Sequence, residues 1–115
     1  MKKTLLLLTV LLVAALGFSE VVTITILQTS DIHGNIFPIN YATNKPSDVG
    51  LAKIQTLVKQ LKNQDPDLIL IDNGDLIQGT PFAYYHVKKD PTAPNPMIQA
   101  LNLMGFHASV IGNHE

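Results

Sequence analysis

The sequence has 115 residues, of which 46% are hydrophobic and 15% charged, with a formal net charge of −1. It contains no cysteine, which excludes disulfide bonds and thiolate metal sites, so any metal must be held by oxygen and imidazole ligands. Every basic residue is lysine and none forms a basic stripe, so we expect no nucleic-acid polymer among the partners.

The N-terminus has the layout of a secretory signal. Lys2 and Lys3 precede an apolar stretch from Leu5 to Leu16, and small residues follow at Gly17 and Ser19. The stretch is shorter than the roughly 20 apolar residues that span a bilayer. Its order of charged, apolar and small-residue regions is typical of a signal peptide. We predict cleavage after Gly17 or Ser19, and an uncleaved membrane anchor is the alternative.

This reading assigns residues 1–19 to the signal peptide and residues 20–115 to the mature part. The mature part would then lie outside the cytoplasm, in the periplasm, at the cell surface or in the medium. Membrane contact is expected only through the signal peptide. The remaining length is sufficient for a small hydrophobic core.

Three apolar segments of the mature part are predicted to be strands. The first, roughly Val21 to Gln28, mixes Val, Ile and Thr as half-buried strands do. The second, Leu68 to Ile71, is continuously apolar, which is typical of a strand covered on both faces. The third runs from Ala108 to Ile111. Helical patterns lie between these segments and predict parallel pairing in an α/β fold.

Three helices are predicted from periodicity and capping residues. Thr80 and Pro81 open a short helix that reaches about Val87, and Asn95 and Pro96 open another in the same way. Gly105 suits the C-terminal cap of the latter. The longest helix follows Gly50 and buries a stripe of Leu51, Ile54, Leu57, Val58 and Leu61; the stripe of the last helix is Met97, Ile98, Leu101 and Met104.

Between the first strand and the first of these helices, residues 35–50 show no periodicity. Asn, Pro and Ser residues interrupt every pattern in this stretch. A loop of this length inside a compact domain is often functional. Two readings remain open, a wall of a substrate pocket and a surface loop without a function.

Polar residues beside glycine follow each predicted strand. Asp31 and His33 follow the first strand, Asp75 the second, and Asn113 and His114 the third. In open sheets with helical crossovers, ligands bind outside the carboxyl ends of the strands. Each group alone is equally consistent with turns and helix caps. Together they predict a shared site.

The residue types indicate a two-metal site. In extended backbone, residues two apart point to one side, so Asp31 and His33 are predicted to hold one cation. Asp75 offers two oxygens that can bridge two cations, and Asn113 offers an amide oxygen to the second. His114 remains free to meet a substrate. Two divalent ions about 3.5–4 Å apart suit phosphoester hydrolysis.

Three motifs in this order resemble the opening motifs of the calcineurin-like metallophosphoesterases. They are Asp31-x-His33, Gly74-Asp75 and Gly112-Asn113-His114-Glu115. The resemblance implies a four-layer αββα sandwich, of which residues 20–115 would form the N-terminal part, incomplete at the C-terminus. It also implies two metal ions, with Asp31 and His33 on one ion, Asp75 bridging and Asn113 on the other ion. His114 would be the catalytic histidine, which either stabilises the transition state or helps the leaving group depart.

Longer stretches resemble the secreted nucleotidase branch of this family. The segments from Leu27 to Asn35 and from Asp72 to Pro81 look like those of 2',3'-cyclic-nucleotide 2'-phosphodiesterase/3'-nucleotidases. The resemblance implies a nucleotide substrate and a role in nucleotide catabolism and scavenging. A 5'-nucleotidase of the same family is one alternative. A non-catalytic domain that binds metal or nucleotide, and a purely structural secreted domain, are the others.

The metal is left open, because carboxylate, amide and imidazole ligands suit Mn, Zn, Fe and Co alike. The family pattern also has further histidine ligands and a nucleoside-binding domain downstream of these motifs. We therefore expect the 115 residues by themselves to show little or no turnover and to fold poorly. The sequence makes no prediction of oligomeric state or base specificity.

Overall fold

The computed structural model describes residues 2–15 and 20–115. The predicted cleavage positions and the boundary at residue 19 lie outside these residues. Within the described ranges, no helix combines the length and apolar character needed to cross a membrane. In chain order the elements are α1 (Lys2–Ala15), β1 (Ile26–Thr29), β2 (Ile39–Asn40), β3 (Lys45–Pro46), α2 (Leu51–Lys62), β4 (Ile69–Asp72), α3 (Pro81–Lys89), α4 (Pro96–Met104) and β5 (Ala108–Ser109).

The main sheet is parallel, with the strand order β1-β4-β5. Leu27 lies opposite Leu70, and Asp72 lies opposite Ser109. Helices connect consecutive strands, as parallel pairing requires. The predicted α/β class with a parallel sheet and helices is confirmed.

The hydrophobic core lies between one face of this sheet and the helices α2 and α4. Leu70 projects from the central strand into this layer and is 1% exposed. Its buried neighbours come mainly from the two helices: Leu51, Val58, Leu68, Leu76, Met97, Leu101 and Met104. The carboxyl ends of the three strands rise above the core at one edge of the sheet.

The predicted caps are present. The Thr80 hydroxyl accepts a hydrogen bond from the N–H of Ala83 at 3.2 Å, which satisfies a free donor at the start of α3. The Asn95 side chain accepts from the first turn of α4. Gly105 ends α4 in the left-handed conformation at φ 76°.

The predicted burial is wrong for two residues. Leu57 is 52% exposed and Ile98 is 42% exposed, although each belongs to a predicted apolar stripe. The expectation that β4 is covered on both faces is also wrong for the described residues. Along this strand, burial alternates between half-buried Ile69 and Ile71 and fully buried Leu70 and Asp72.

Residues 35–50 contain an unpredicted antiparallel hairpin formed by β2 and β3. The Asn40 side chain accepts from the N–H groups of Ala42 and Thr43, and Asn44 adopts a left-handed conformation at φ 53°. Asn favours both features, which close the turn. The hairpin is too short for alternation to reveal it in the sequence.

Candidate metal centre

The loops after β1 and β4 lie side by side and continue the pairing of the strands. The N–H of Asp31 donates to the carbonyl of Gly74 at 3.1 Å, and the N–H of His33 donates to the carbonyl of Asp75 at 2.9 Å. The N–H of Gly34 then donates to the carbonyl of Leu76 at 2.7 Å. These three bonds fix the register between the two loops that carry candidate ligands.

Three candidate ligands adopt a left-handed backbone conformation. The φ angles are 55° at Asp31, 49° at His33 and 56° at Asp75. The prediction that extended backbone aligns Asp31 with His33 is therefore wrong, because the strand ends at Thr29. Non-glycine residues seldom adopt this conformation, and such residues cluster at functional sites. Backbone pairing between the loops holds them in it.

This conformation brings the side chains of Asp31, His33 and Asp75 together. One ligand atom of each lies within 4.8 Å of the ligand atoms of the other two. The Oδ1 of Asp31 is 3.7 Å from the Nε2 of His33, and their side chains are 62% and 35% exposed. Two carboxylates and an imidazole open to solvent form a donor set that fits a divalent transition metal.

The imidazole of His33 is oriented for metal binding by its other nitrogen. Its Nδ1 lies 3.1 Å from the carbonyl oxygen of Gln78. A carbonyl can only accept, so Nδ1 carries the proton and Nε2 presents its lone pair toward Asp31. Metal-binding histidines are commonly oriented in this way. A Cβ at Gly79 would lie 2.7 Å from both the Cβ and the carbonyl oxygen of His33, so only glycine lets this segment lie so close to His33.

The turn after β5 reaches the same site. The N–H of His114 donates to the Oδ1 of Asp75 at 3.0 Å. The rings of His33 and His114 lie edge to face, with 5.3 Å between centroids. Asn113 lies between Gly112 and His114 in this exposed turn. The roles of Asn113 as a ligand and of His114 as the catalytic histidine stay predictions.

A buried carboxylate ties the three strand ends together beneath the site. Asp72 is 0% exposed and accepts hydrogen bonds from the hydroxyls of Thr29 on β1 and Ser109 on β5, at 2.7 and 3.0 Å. It also accepts from the N–H of Gly74 at 3.2 Å. Asp72 therefore shapes the turn that presents Asp75, as its position before Gly74-Asp75 suggested.

Glu115 has a role that sequence reasoning missed. Its carboxylate accepts hydrogen bonds from the backbone N–H groups of Asp75, Leu76, Ile77 and Gly112. Burial acts to raise the pKa of the Glu115 carboxyl, but these four donors outweigh it and hold the pKa below its usual value. A signal existed in the sequence, because an acidic residue among glycine-containing turns is suited to bind free amides.

An open cavity of about 710 Å³ adjoins His114. Its walls include Gln78, Thr80, Tyr84 and Glu115. Unlike His33, His107 lies outside the ligand cluster and has a structural role, because its Nδ1 accepts a hydrogen bond from the N–H of Leu70 at 2.9 Å. A substrate that reaches the ligand cluster therefore has room beside His114.

Comparison with known proteins gives a consistent result. Residues 24–115 match the family profile described as calcineurin-like phosphoesterase. The chain is 40% identical over 99 residues to the trifunctional nucleotide phosphoesterase protein YfkN of Bacillus subtilis, covering 80% of this chain and 7% of that protein. It is 35% identical over 97 residues to a 2',3'-cyclic-nucleotide 2'-phosphodiesterase/3'-nucleotidase of Yersinia enterocolitica, covering 82% and 15%.

A 5'-nucleotidase of Diplobatis ommata is 30% identical over 112 residues, covering 95% of this chain and 18% of that protein. The crystal structure of calcineurin-like phosphoesterase YfkN from Bacillus subtilis superposes with a TM-score of 0.74 at 38% identity, covering 79% of this chain and 29% of that one. The chain thus spans less than a fifth of the length of each of these three curated relatives.

Proposed function

The chain belongs to the calcineurin-like phosphoesterase family, and from this premise we propose that it carries the metal centre of a two-metal hydrolase that cleaves nucleotide phosphoesters outside the cytoplasm. The observation that carries the proposal is the convergence of Asp31, His33 and Asp75 within 4.8 Å at adjacent strand ends. His114 reaches the same place from the third strand.

Two divalent ions, of Mn, Zn, Fe or Co, would be held by the predicted ligands. Asp31 and His33 would bind one ion through Oδ1 and Nε2, because Oδ2 of Asp31 already accepts a hydrogen bond from the Ser30 hydroxyl. Asp75 would bridge, and Asn113 would bind the second ion. When bound, the ions neutralise phosphoryl charge and activate water.

Groups of the protein orient the ligands and supply the proton. Gln78 keeps the His33 imidazole in one tautomer through the contact at Nδ1. His114 directs its imidazole toward the leaving oxygen and supplies a proton there. Its backbone N–H bond to Asp75 fixes the distance between that imidazole and the bridging carboxylate.

The residues beside the cavity support a proposal for the substrate branch. The continuation Leu76-Ile77-Gln78-Gly79-Thr80-Pro81 favours 2',3'-cyclic-nucleotide 2'-phosphodiesterase/3'-nucleotidase activity. Five of these six residues line the cavity next to His114, so they lie where a substrate would bind. A 5'-nucleotidase activity is the second candidate, supported by the match that covers 95% of this chain.

Two broader proposals accompany the activity. The first is the four-layer αββα sandwich, supported by exposed apolar residues on and just before the open face of β1, where Ile26 is 56% and Ile24 is 66% exposed. These residues would be buried by a second sheet. A solved structure of the full-length gene product with both side chains in solvent would contradict this arrangement.

The second is a periplasmic, secreted or cell-surface location. Its support is the pair Lys2 and Lys3 at the start of helix α1, ahead of the apolar residues of that helix. N-terminal sequencing of exported protein should read from Phe18 or Glu20. Recovery of the intact N-terminus in the cytoplasm would contradict export.

The activity is tested with the full-length gene product that contains these residues. Hydrolysis of 2',3'-cyclic AMP, 3'-AMP and 5'-AMP is measured with Mn²⁺, with and without chelator. We expect turnover of the cyclic and 3' substrates, and at least about a 100-fold loss with chelator or in Asp75→Asn. Asp67→Asn, the same change at an exposed aspartate that precedes β4 whereas Asp75 follows it, is the matched control and should retain activity.

The outcomes separate the candidate functions. Preferential hydrolysis of 5'-AMP would favour the 5'-nucleotidase. Metal-dependent thermal stabilisation without turnover of any substrate would favour a binding domain, since only a ligand of the native state raises stability by mass action. Neither turnover nor stabilisation would leave the structural domain as the surviving candidate.

A further inference from the structure

The carboxylate of Glu115 connects two of the loops that meet at the candidate metal centre. We propose that Glu115 is a positioning residue, which holds the loop of Asp75 against the turn of Asn113 and His114 so that ligands from separate strands share one geometry. This inference rests on the proposed two-metal function and deepens it. Glu115 itself is not assigned as a ligand.

Each oxygen of this carboxylate accepts two hydrogen bonds. Oε2 accepts from the N–H of Asp75 at 2.9 Å and from that of Gly112 at 2.5 Å. Oε1 accepts from the N–H of Leu76 at 2.5 Å and from that of Ile77 at 3.2 Å. In the described part of the chain, these four amides donate to no other group. Glu115 is therefore their partner.

The bonds form a cross-link rather than a local turn closure. Only Gly112 is near Glu115 in sequence, whereas the other three donors lie 38 to 40 residues away. The two segments are in direct backbone contact, since a Cβ at Gly74 would lie 2.7 Å from the nitrogen of Gly112. The Glu115 carboxylate therefore joins two segments that already touch, and it adds to the bond from the N–H of His114 to Oδ1 of Asp75.

Glu115 holds the backbone of Asp75 by a hydrogen bond, and His114 holds the side chain of Asp75 by another. Glu115 binds the N–H of Asp75, and the N–H of His114 donates to Oδ1 of the same residue at 3.0 Å. The left-handed φ of 56° at Asp75 needs such support from its surroundings. Without Glu115, both the bridging carboxylate and the catalytic imidazole lose a fixed position.

The test replaces the carboxylate by an amide of nearly the same shape. Glu115→Gln keeps one acceptor oxygen and turns an NH₂ group toward two of the four donors. The matched control is Glu20→Gln, because Glu20 is the only other glutamate in the sequence and is exposed. Thermal unfolding without metal, Mn²⁺ affinity and amide proton resonances are measured for the full-length gene product as wild type and for both variants of it.

We expect Glu115→Gln to bind Mn²⁺ about 10- to 100-fold more weakly, the range found when residues that orient ligands are changed. The amide protons of Asp75, Leu76, Ile77 and Gly112 should move upfield, since each loses a charged acceptor or shares a weaker one. Glu20→Gln should match the wild type in every measurement. A purely structural role would lower the unfolding midpoint but leave the Mn²⁺ affinity of the folded fraction unchanged.

The outcomes distinguish this inference from the proposed function. Measurable Mn²⁺ binding by the wild type, with equal affinity in Glu115→Gln, would overturn the positioning role and leave the metal centre standing. A wild-type chain without Mn²⁺ affinity would overturn the metal centre. The amide resonances then decide the cross-link alone: an upfield movement confined to the four amides supports it, and unchanged resonances overturn it.

Discussion

The central strand β4 joins two regions that are stabilised in different ways. The apolar layer, on the helix side of Leu70, consists of side chains that are at most 7% exposed: Leu51, Val58, Leu68, Leu70, Leu76, Met97, Leu101 and Met104. The strand-end layer, two residues farther along, consists of polar residues that are held by hydrogen bonds, many of them to backbone groups: Asp31, His33, Asp72, Asp75, His114 and Glu115.

The difference shows how stability and function divide along one strand. Burial of apolar area is non-directional, so the apolar layer tolerates changes of shape but responds to lost volume. Hydrogen bonds and ligand geometry are directional, so the strand-end layer responds to displacements that barely change the buried area. Substitutions in the two layers should therefore separate unfolding free energy from metal affinity.

The largest effect on stability is expected from the apolar layer. Met97 is 0% exposed, and Met97→Ala should lower the free energy of unfolding by about 2–5 kcal/mol, through lost burial and the cavity that remains. Urea denaturation measures this change. Leu103→Ala in the same helix is the matched control and should have little effect, because Leu103 is 87% exposed. Equal losses in both variants would contradict the assigned packing of α4.

A smaller effect is expected from the buried carboxylate of the strand-end layer. Asp72→Ala leaves the Thr29 and Ser109 hydroxyls and the Gly74 N–H without their acceptor. It should lower the free energy of unfolding by about 1.5–3 kcal/mol. Asp72→Asn should retain most of the stability, because the Thr29 hydroxyl can rotate to accept from the new amide. If Asp72→Asn lost as much unfolding free energy as Asp72→Ala, the effect would come from the charge of the carboxylate instead.

The sharpest test of the division is a change that alters affinity more than stability. Gly79→Ala should weaken Mn²⁺ binding about 10-fold, because the new Cβ displaces His33 and its Nε2. Gly105→Ala is the control, since φ is also positive there but the nearest atom is the flexible Lys62 Nζ at 3.1 Å. It should cost about 1 kcal/mol of stability without a change in Mn²⁺ affinity. Isothermal titration calorimetry measures the Mn²⁺ affinity of both variants. Equal affinities would contradict the division between the apolar layer and the strand-end layer.

The smallest effect is expected outside both layers, at the ion pair between Asp48 and Lys53. A hydrogen bond and the charge of Lys53 hold the pKa of the Asp48 carboxyl below its usual value. A lowered pKa adds stability above the unfolded pKa, which is lost as the pH falls below about 4. Because the Asp48 side chain is 97% exposed, this contribution is weak.

Asp48→Asn should therefore leave the thermal midpoint at pH 7 nearly unchanged, and its small difference from the wild type should shrink at pH 3. Thermal unfolding at the two pH values measures the difference. A loss at pH 7 comparable to that of Met97→Ala would mean that the pair belongs to a structural layer after all.

The helices and their order were predictable because their signals are local. Thr80, Asn95 and Gly105 act within one turn of the helix that each caps, so their residue types alone indicate the boundaries. The alternation of helices and strands likewise predicted the parallel sheet. The exposure of Leu57 and Ile98 was not predictable, since periodicity gives the direction of a stripe but not the width of the surface that covers it.

The strand ends were predictable as a meeting point but not in their conformation. The positive φ angles at Asp31, His33 and Asp75 follow from pairing between loops that are distant in sequence, which no local pattern reveals. The function of Glu115 is hidden for the same reason, because three of its four donors lie on another loop. Residue types were therefore enough to predict that the site lies at the strand ends, whereas the backbone conformation and the role of Glu115 depend on tertiary contacts.

The separation of the ligands along the chain has a kinetic consequence. Asp75 and His114 are 39 residues apart, and His33 is held by Gln78 from 45 residues away. These long loops must close before the ligand cluster can assemble. If the strand-end layer is still unformed in the folding transition state, that state binds metal no better than the unfolded chain does. Mn²⁺ would then slow unfolding and leave the folding rate unchanged. The concentration of free metal would set the lifetime of the native state.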